Sequence, residues 1–168
     1  MALINKKWDK VLELIFNNPN VSFTVRKVSK ETKIPTSTAQ RYLKELRKES
    51  IIDKENKFIY SNYTKFVKSY FMIEKLYRYG LIDYLEKELT PSSIILFGSI
   101  RKGEYGKDSD IDIFVESTKE KKLDLRIFER KLKKKIQLFI EPNIEKLDKN
   151  LANNILNGIK LSGYFEIK

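Results

Sequence analysis

Apolar residues at Trp8, Val11, Leu12, Ile15 and Phe16 recur at helical spacing, and Asn17-Asn18-Pro19-Asn20 ends the pattern. Val21-Ser22-Phe23 reads as a short extended piece, and Thr24 can cap a second helix that carries Val25 and Val28. Lys33-Ile34-Pro35 breaks that helix. Thr36 or Ser37 can cap a third, with Ala39, Tyr42, Leu43 and Leu46 as its buried face. Ile51-Ile52 and Phe58-Ile59-Tyr60 then read as two short strands around a polar tip. Residues 64–89 form a long helical pattern. Phe66, Tyr70, Ile73 and Tyr77 make one stripe, read as core or interface, and Val67, Phe71, Leu76, Leu81, Tyr84 and Leu85 widen it. A helix apolar over so much of its circumference needs more than one partner, either both flanking domains or a second copy of the chain. Gly80 marks a kink or a break into two helices.

Beyond Pro91 the pattern changes. Ser92-Ser93-Ile94-Ile95-Leu96-Phe97 is a short apolar run typical of a buried strand. Gly98 permits a sharp turn and close approach to a ligand, and Ser99 stands where a helix starts, a natural phosphate-binding position. Arg101 and Lys102 follow, placed to counter phosphate charge. Residues 103–109 hold two glycines and polar side chains, so they form a loop. Asp110-Ile111-Asp112-Ile113-Phe114-Val115 is a second strand. Residues 119–135 read as a charged surface helix, with Lys131, Lys133, Lys134 and Lys135 as a solvated basic run or a contact for an acidic partner. A strand over 135–141, a helix from Ile144 to Leu156, and a tail or last strand after Gly158 complete the chain.

The chemistry lies between 97 and 112. On a strand, residues i and i+2 share a face, roughly 7 Å apart. Asp110 and Asp112 can therefore reach one divalent cation, which would bridge to phosphates held at the Gly98-Ser99 turn. The chain has neither Cys nor His, so any metal must be held by oxygen, which favours Mg²⁺ or Mn²⁺.

This Gly-Ser, ten-residue, Asp-x-Asp pattern, with Ser109 before the first carboxylate and Lys102-Gly103 between, resembles the nucleotidyltransferase superfamily related to DNA polymerase β. The likeness is greatest to its small prokaryotic branch, the minimal nucleotidyltransferases, and covers about residues 91–168. It implies transfer of a nucleoside monophosphate from ATP or another NTP to an acceptor, with release of pyrophosphate. Asp110 and Asp112 would hold the cation. Gly98 and Ser99 would hold the phosphates, assisted by Arg101, Lys102 and Ser109. Such enzymes usually carry a third carboxylate on a later strand, where this chain has Gln137. An amide is neither a base nor a source of negative charge. Glu141 shares the face of Gln137 but lies about 13 Å further along the strand. By analogy with the family, a HEPN-type ribonuclease toxin is a candidate partner.

Net charge sharpens the reading of the N-terminal segment. Of a total of +11, residues 1–62 carry 13 basic and 7 acidic residues, net +6, whereas 63–90 carry +1 and 91–168 carry +4. A polyanion partner is implied at the N-terminus, unless Lys-rich composition reflects the source of the protein. The order helix, short strand, helix, helix, hairpin is the layout of a winged helix-turn-helix. Residues 34–43 look like the recognition region of prokaryotic winged-helix regulators. In that geometry Thr36, Ser37, Thr38, Gln40, Arg41 and Lys44 face DNA, with Lys54 and Lys57 on the wing; a role in protein contacts alone is the alternative.

The expected class is α+β: a winged helix-turn-helix at 1–62, a connecting helix at 63–90, and a polymerase β-like α/β nucleotidyltransferase domain with a small mixed sheet at 91–168. No apolar run approaches a membrane span, and the amphipathic N-terminus, Met1 to Trp8, is unlike a signal peptide, so the expected location is cytoplasmic. A homodimer through the aromatic stripe is a further expectation. The rival class is a DNA-binding transcriptional regulator whose second domain senses nucleotide or only dimerises.

Overall fold

A computed structural model describes residues 6–119 and 121–164. Met1 to Asn5, Glu120 in the charged segment and the tail from Phe165 lie outside the described residues. The chain divides after Lys65 into two compact units.

The first unit holds three helices, α1 (Lys6–Asn17), α2 (Val25–Thr32) and α3 (Thr36–Lys48). Val11, Leu12, Ile15 and Phe16 of α1, Val28 of α2, and Ala39, Tyr42, Leu43 and Leu46 of α3 are all buried. Trp8 meets Tyr42 edge-on at 4.8 Å, and Phe16 meets Phe58 at 5.7 Å. Thr24 caps α2 by accepting the Lys27 N–H at 3.2 Å. Neither Thr36 nor Ser37 caps α3. Pro35, with φ −57°, takes the cap position, and Thr36 is already helical, its hydroxyl 3.3 Å from that of Ser29. The two expected strands contract to one bridge, Ile52 with Phe58. The turn between them is too tight for more: the Asp53 carboxylate accepts the N–H groups of Glu55 and Lys57, each at 2.9 Å. Asn56, with φ 59°, leaves the ladder and donates its side-chain amide to the Phe23 carbonyl at 2.8 Å, which docks the extended segment 21–23 beside the turn.

The second unit groups most of the expected connector with the sheet. Gly80, at φ 76°, divides it into α4 (Asn62–Arg78) and α5 (Leu81–Leu89). The aromatic stripe is not core. Phe66, Tyr70 and Tyr77 are exposed, while Phe71, Met72 and Leu76 are buried together with Lys68 and Lys75. Four strands follow, β1 (Ser93–Phe97), β2 (Ile111–Glu116), β3 (Ile136–Glu141) and β4 (Ile159–Gly163), in the order β3-β2-β1-β4. β2 and β3 are parallel and the other pairs antiparallel, so the sheet is mixed. The two central strands are apolar on both faces, as strands covered from both sides must be.

Helix α6 (Gly98–Lys102) joins β1 to the loop before β2, α7 (Arg126–Leu132) precedes β3, and α8 (Lys149–Leu156) precedes β4. The charged helix expected over 119–135 is therefore only seven residues long. Asp124 turns the chain just ahead of it by accepting both the Arg126 N–H and its guanidinium. The helix expected from Ile144 to Leu156 also breaks, into a 3₁₀ turn (Ile144–Lys146) and α8. Asp148 accepts the N–H groups of Asn150 and Leu151 at 3.0 Å each and restarts the helix there. Ile155 of α8 then packs on Ile95, Phe97 and Phe114. No helix among the described residues is long and apolar enough to cross a membrane.

Losing the Asp148 cap should loosen the layer that covers this face of the sheet. Asp148→Ala is expected to cost about 1 kcal/mol, read as a lowered urea midpoint with unchanged slope.

Candidate active site

The site is built by strand register. Phe97 pairs with Asp112 across the antiparallel β1–β2 ladder, and Asp112 pairs with Gln137 across the parallel β2–β3 ladder. Paired residues share a face, so Phe97, Asp112 and Gln137 form a row across the sheet. One step further into the sheet, that face is a buried apolar cluster around Ile95 and Phe114, with Phe139 against Phe97 at 5.6 Å. The carboxylate thus stands at the rim of a dry core.

Gly98 follows Phe97 with φ 70°, a conformation that side chains disfavour. Its bare Cα is what lets Asp112 in. A Cβ built on Gly98 would lie 2.0 Å from Asp112 Oδ2. The turn between β1 and α6 and the carboxylate of β2 are therefore in direct contact. Ser99 is half-buried in the first turn of α6, and Arg101 and Lys102 are exposed in its last turn. Asp110, exposed, is the residue immediately before β2 rather than part of it. It is close enough to act on Asp112: burial first, and the Asp110 charge second, push the Asp112 carboxyl above its usual range. Two carboxylates that repel one another beside an open turn fit a divalent cation, which relieves the repulsion. Among the described residues no group of three acidic, His or Cys side chains converges, so a cation held there would take its remaining ligands from water or from a bound nucleotide.

Gln137 is exposed and occupies the third place in the row, beside Asp112. Glu141 does not replace it. It pairs with Glu116 at the opposite end of the ladder, and the six pairs between β2 and β3 run without interruption.

The loop from α6 to β2 is held by groups that sequence periodicity left out of the site. Ser109, read as nucleotide-binding, accepts the Gly106 N–H on its hydroxyl at 2.9 Å and closes the loop on itself. The Tyr105 ring is buried, with Lys68 Nζ 4.5 Å and Lys134 Nζ 5.2 Å from its centre. Lys68 donates to the Tyr105 carbonyl, and the Tyr105 hydroxyl donates to the Lys68 carbonyl at 3.1 Å. Burial first, and then repulsion from Lys134, lower the Lys68 ammonium to about 8, against an upward pull from Glu104. Lys134 is not part of a solvated run: it is buried, while Lys131, Lys133 and Lys135 are exposed. Its place was legible. It stands two residues before the half-buried Ile136, in phase with it when β3 is extended backwards.

The residues singled out for DNA lie on the first unit. On α3, Thr36, Ser37, Gln40, Arg41 and Lys44 are exposed and Thr38 is half-buried, opposite the buried Ala39–Leu46 face. Arg41 lies over the Tyr42 ring at 5.3 Å. Lys54 is exposed and Lys57 half-buried in the turn that joins the bridge.

Two outcomes follow for the acidic pair. Gly80 and Gly98 both have positive φ, yet a Cβ at Gly80 meets nothing within 4 Å. Gly80→Ala should cost only the backbone strain, about 1–2 kcal/mol, and Gly98→Ala should cost more, as measured by urea unfolding of both. The second outcome concerns pH. Asp112 holds its proton more tightly in the folded chain, so the stability it contributes at low pH is lost as pH rises through its raised folded value. Asp110→Asn should lower the Asp112 titration midpoint, read by carboxyl ¹³C NMR, and stabilise the fold at neutral pH.

No curated protein and no solved structure gives a significant match to this chain. Residues 78–160, within the second unit, match the family model of the nucleotidyltransferase domain, so this part of the chain is similar to that family.

Proposed function

We propose that the chain is a divalent-cation-dependent nucleotidyltransferase that moves a nucleoside monophosphate from ATP or another NTP to an acceptor and releases pyrophosphate. The observation that carries this reading is the contact between the Asp112 carboxylate and the bare Cα of Gly98, within a segment that matches the family model. Asp110 and Asp112 would hold Mg²⁺ or Mn²⁺. Gly98 and Ser99 would bring backbone to the triphosphate, with Lys102 and Arg101 countering its charge from the exposed end of α6. The bound cation would neutralise the triphosphate and align its oxygens. Everything else rests on positioning, as in phosphoryl transfer generally. The buried phenylalanines behind Asp112 support this, because they keep water from one side of the pair.

The first unit fits a winged helix-turn-helix, with α3 presented to the major groove and the 53–57 turn to the backbone. Its polar exposed face and its share of the positive charge support DNA as a partner. A HEPN-type toxin partner accords with the same family reading, the exposed Phe66, Tyr70 and Tyr77 would suit a homodimer, and a cytoplasmic setting would suit a chain without a membrane-spanning helix among the described residues.

A second reading is favoured by one observation. Gln137 stands beside Asp112 where a third carboxylate would complete the set. On that reading the domain binds nucleotide without turnover and modulates a DNA-binding regulator.

Label transfer from an α-labelled NTP, lost in Asp110→Ala, supports the enzyme. Nucleotide-modulated DNA binding without label transfer supports the regulator. Asp110→Asn should weaken Mg-ATP binding in calorimetry and leave DNA binding intact. Gln137→Glu adds the missing charge and should tighten Mn²⁺ binding about tenfold or more, a change of about 1.4 kcal/mol, read by electron paramagnetic resonance.

A further inference from the structure

The loop before Asp110 is gathered around a buried cation. Lys134 is 6% exposed, and its ammonium donates to the carbonyls of Gly106 at 2.5 Å, Lys107 at 3.2 Å and Ser109 at 3.4 Å. A buried ammonium is tolerated only when its three protons find acceptors, and here all three acceptors come from one loop. The Tyr105 ring closes another side. The Ser109 carbonyl belongs to the peptide that joins Ser109 to Asp110. On the far side of Asp110, the Ile111 N–H donates to the Lys135 carbonyl at 2.9 Å. Consecutive residues, Lys134 by its side chain and Lys135 by its backbone, thus bracket Asp110.

We propose that Lys134 is a positioning residue for the acidic pair: its ammonium draws the 106–109 carbonyls together and fixes the peptide from which Asp110 emerges beside Asp112. Its ammonium bonds to the backbone of the loop, and it acts through the loop. The proposal rests on the reading of Asp110 and Asp112 as the cation site.

Two effects of removing Lys134 have opposite sign. Its positive charge disfavours a cation nearby, so loss of charge alone would tighten Mn²⁺ binding. Loss of positioning would weaken it, by about tenfold to a hundredfold on the scale of groups that orient metal ligands. Mn²⁺ titration of the full chain, followed by electron paramagnetic resonance, reads the sign. Lys134→Met is expected to bind Mn²⁺ at least about tenfold more weakly than the wild type. Its Gly106 to Asp110 amides should exchange faster while the rest of the sheet stays protected. Lys135→Met, altering an exposed neighbour, is expected to bind as the wild type does. Unchanged or tighter Mn²⁺ binding in a folded Lys134→Met overturns the proposal and leaves the cation site standing. No Mn²⁺ binding by the wild type overturns the cation site and this proposal with it. Where Lys134→Met does not fold, the wild type decides. Slowly exchanging Lys134 ammonium protons with contacts to the 106–109 segment are expected in NMR, and a rapidly exchanging ammonium without those contacts overturns the proposal.

Discussion

The candidate site depends on one missing side chain. At Gly98 the chain leaves β1, and the space that any Cβ would fill is occupied by the carboxylate of Asp112. That contact needs two things at once. The antiparallel register must bring Asp112 opposite Phe97, and the next residue must turn with positive φ and nothing attached. A slip of one residue in the β1–β2 ladder would send Asp112 to the other face of the sheet and bring Ile111 or Ile113 into its place. The apolar core enforces the register, because Phe114, two residues on, must reach the cluster with Ile95, Phe97 and Ile155. The same packing that holds the sheet together therefore aims the carboxylate.

This placement has an electrostatic consequence. Asp112 is partly withdrawn from water and faces the charge of Asp110, and both effects oppose its ionised form. A structure optimised for stability alone would separate the pair or neutralise one member. Holding them together stores repulsion that only a cation or a proton relieves, which is the usual cost of a preorganised charged site. Opposite signs are buried a few residues away, where Lys68 and Lys134 flank the Tyr105 ring. The loop between them and the acidic pair is thus held by cations on one side and leads to anions on the other.

The elements whose signal is local were legible in the chain. The Gly98-Ser99 turn, both central strands and the three N-terminal helices follow from spacing, flanking turn residues and apolar runs. The parallel pairing of β2 with β3 was not in the pattern, although the likeness placed Gln137 beside the acidic pair, and the register puts it there. Four features escaped. The charged segment 119–135 and the stretch 144–156 have helical composition, but Asp124 and Asp148 bond local backbone N–H groups and set later starts. The α4 stripe misled because aromatic periodicity marks a face without saying whether core or solvent lies against it. The buried face of α4 carries Lys68 and Lys75 beside Phe71 and Leu76. Lys134 escaped because a run of four nearby lysines reads as surface, and only the strand phase distinguishes one of them.

Gln137 bears on the choice of acceptor. In nucleotidyl transfer the attacking group must lose a proton if it begins as an alcohol, and the three side chains in this row offer no spare base. Phe97 has no titratable group, Gln137 accepts a hydrogen bond but not a proton, and Asp112 is engaged once a cation is bound. An acceptor whose nucleophile is already ionised at neutral pH, a phosphate or a carboxylate, needs no such base. An alcohol acceptor needs one from water, from the acceptor molecule or from a partner. On the proposed reading, the amide in register with Asp112 therefore narrows the chemistry more than the acidic pair does: the pair would hold a metal-bound triphosphate, and the amide limits which acceptor could take its nucleoside monophosphate.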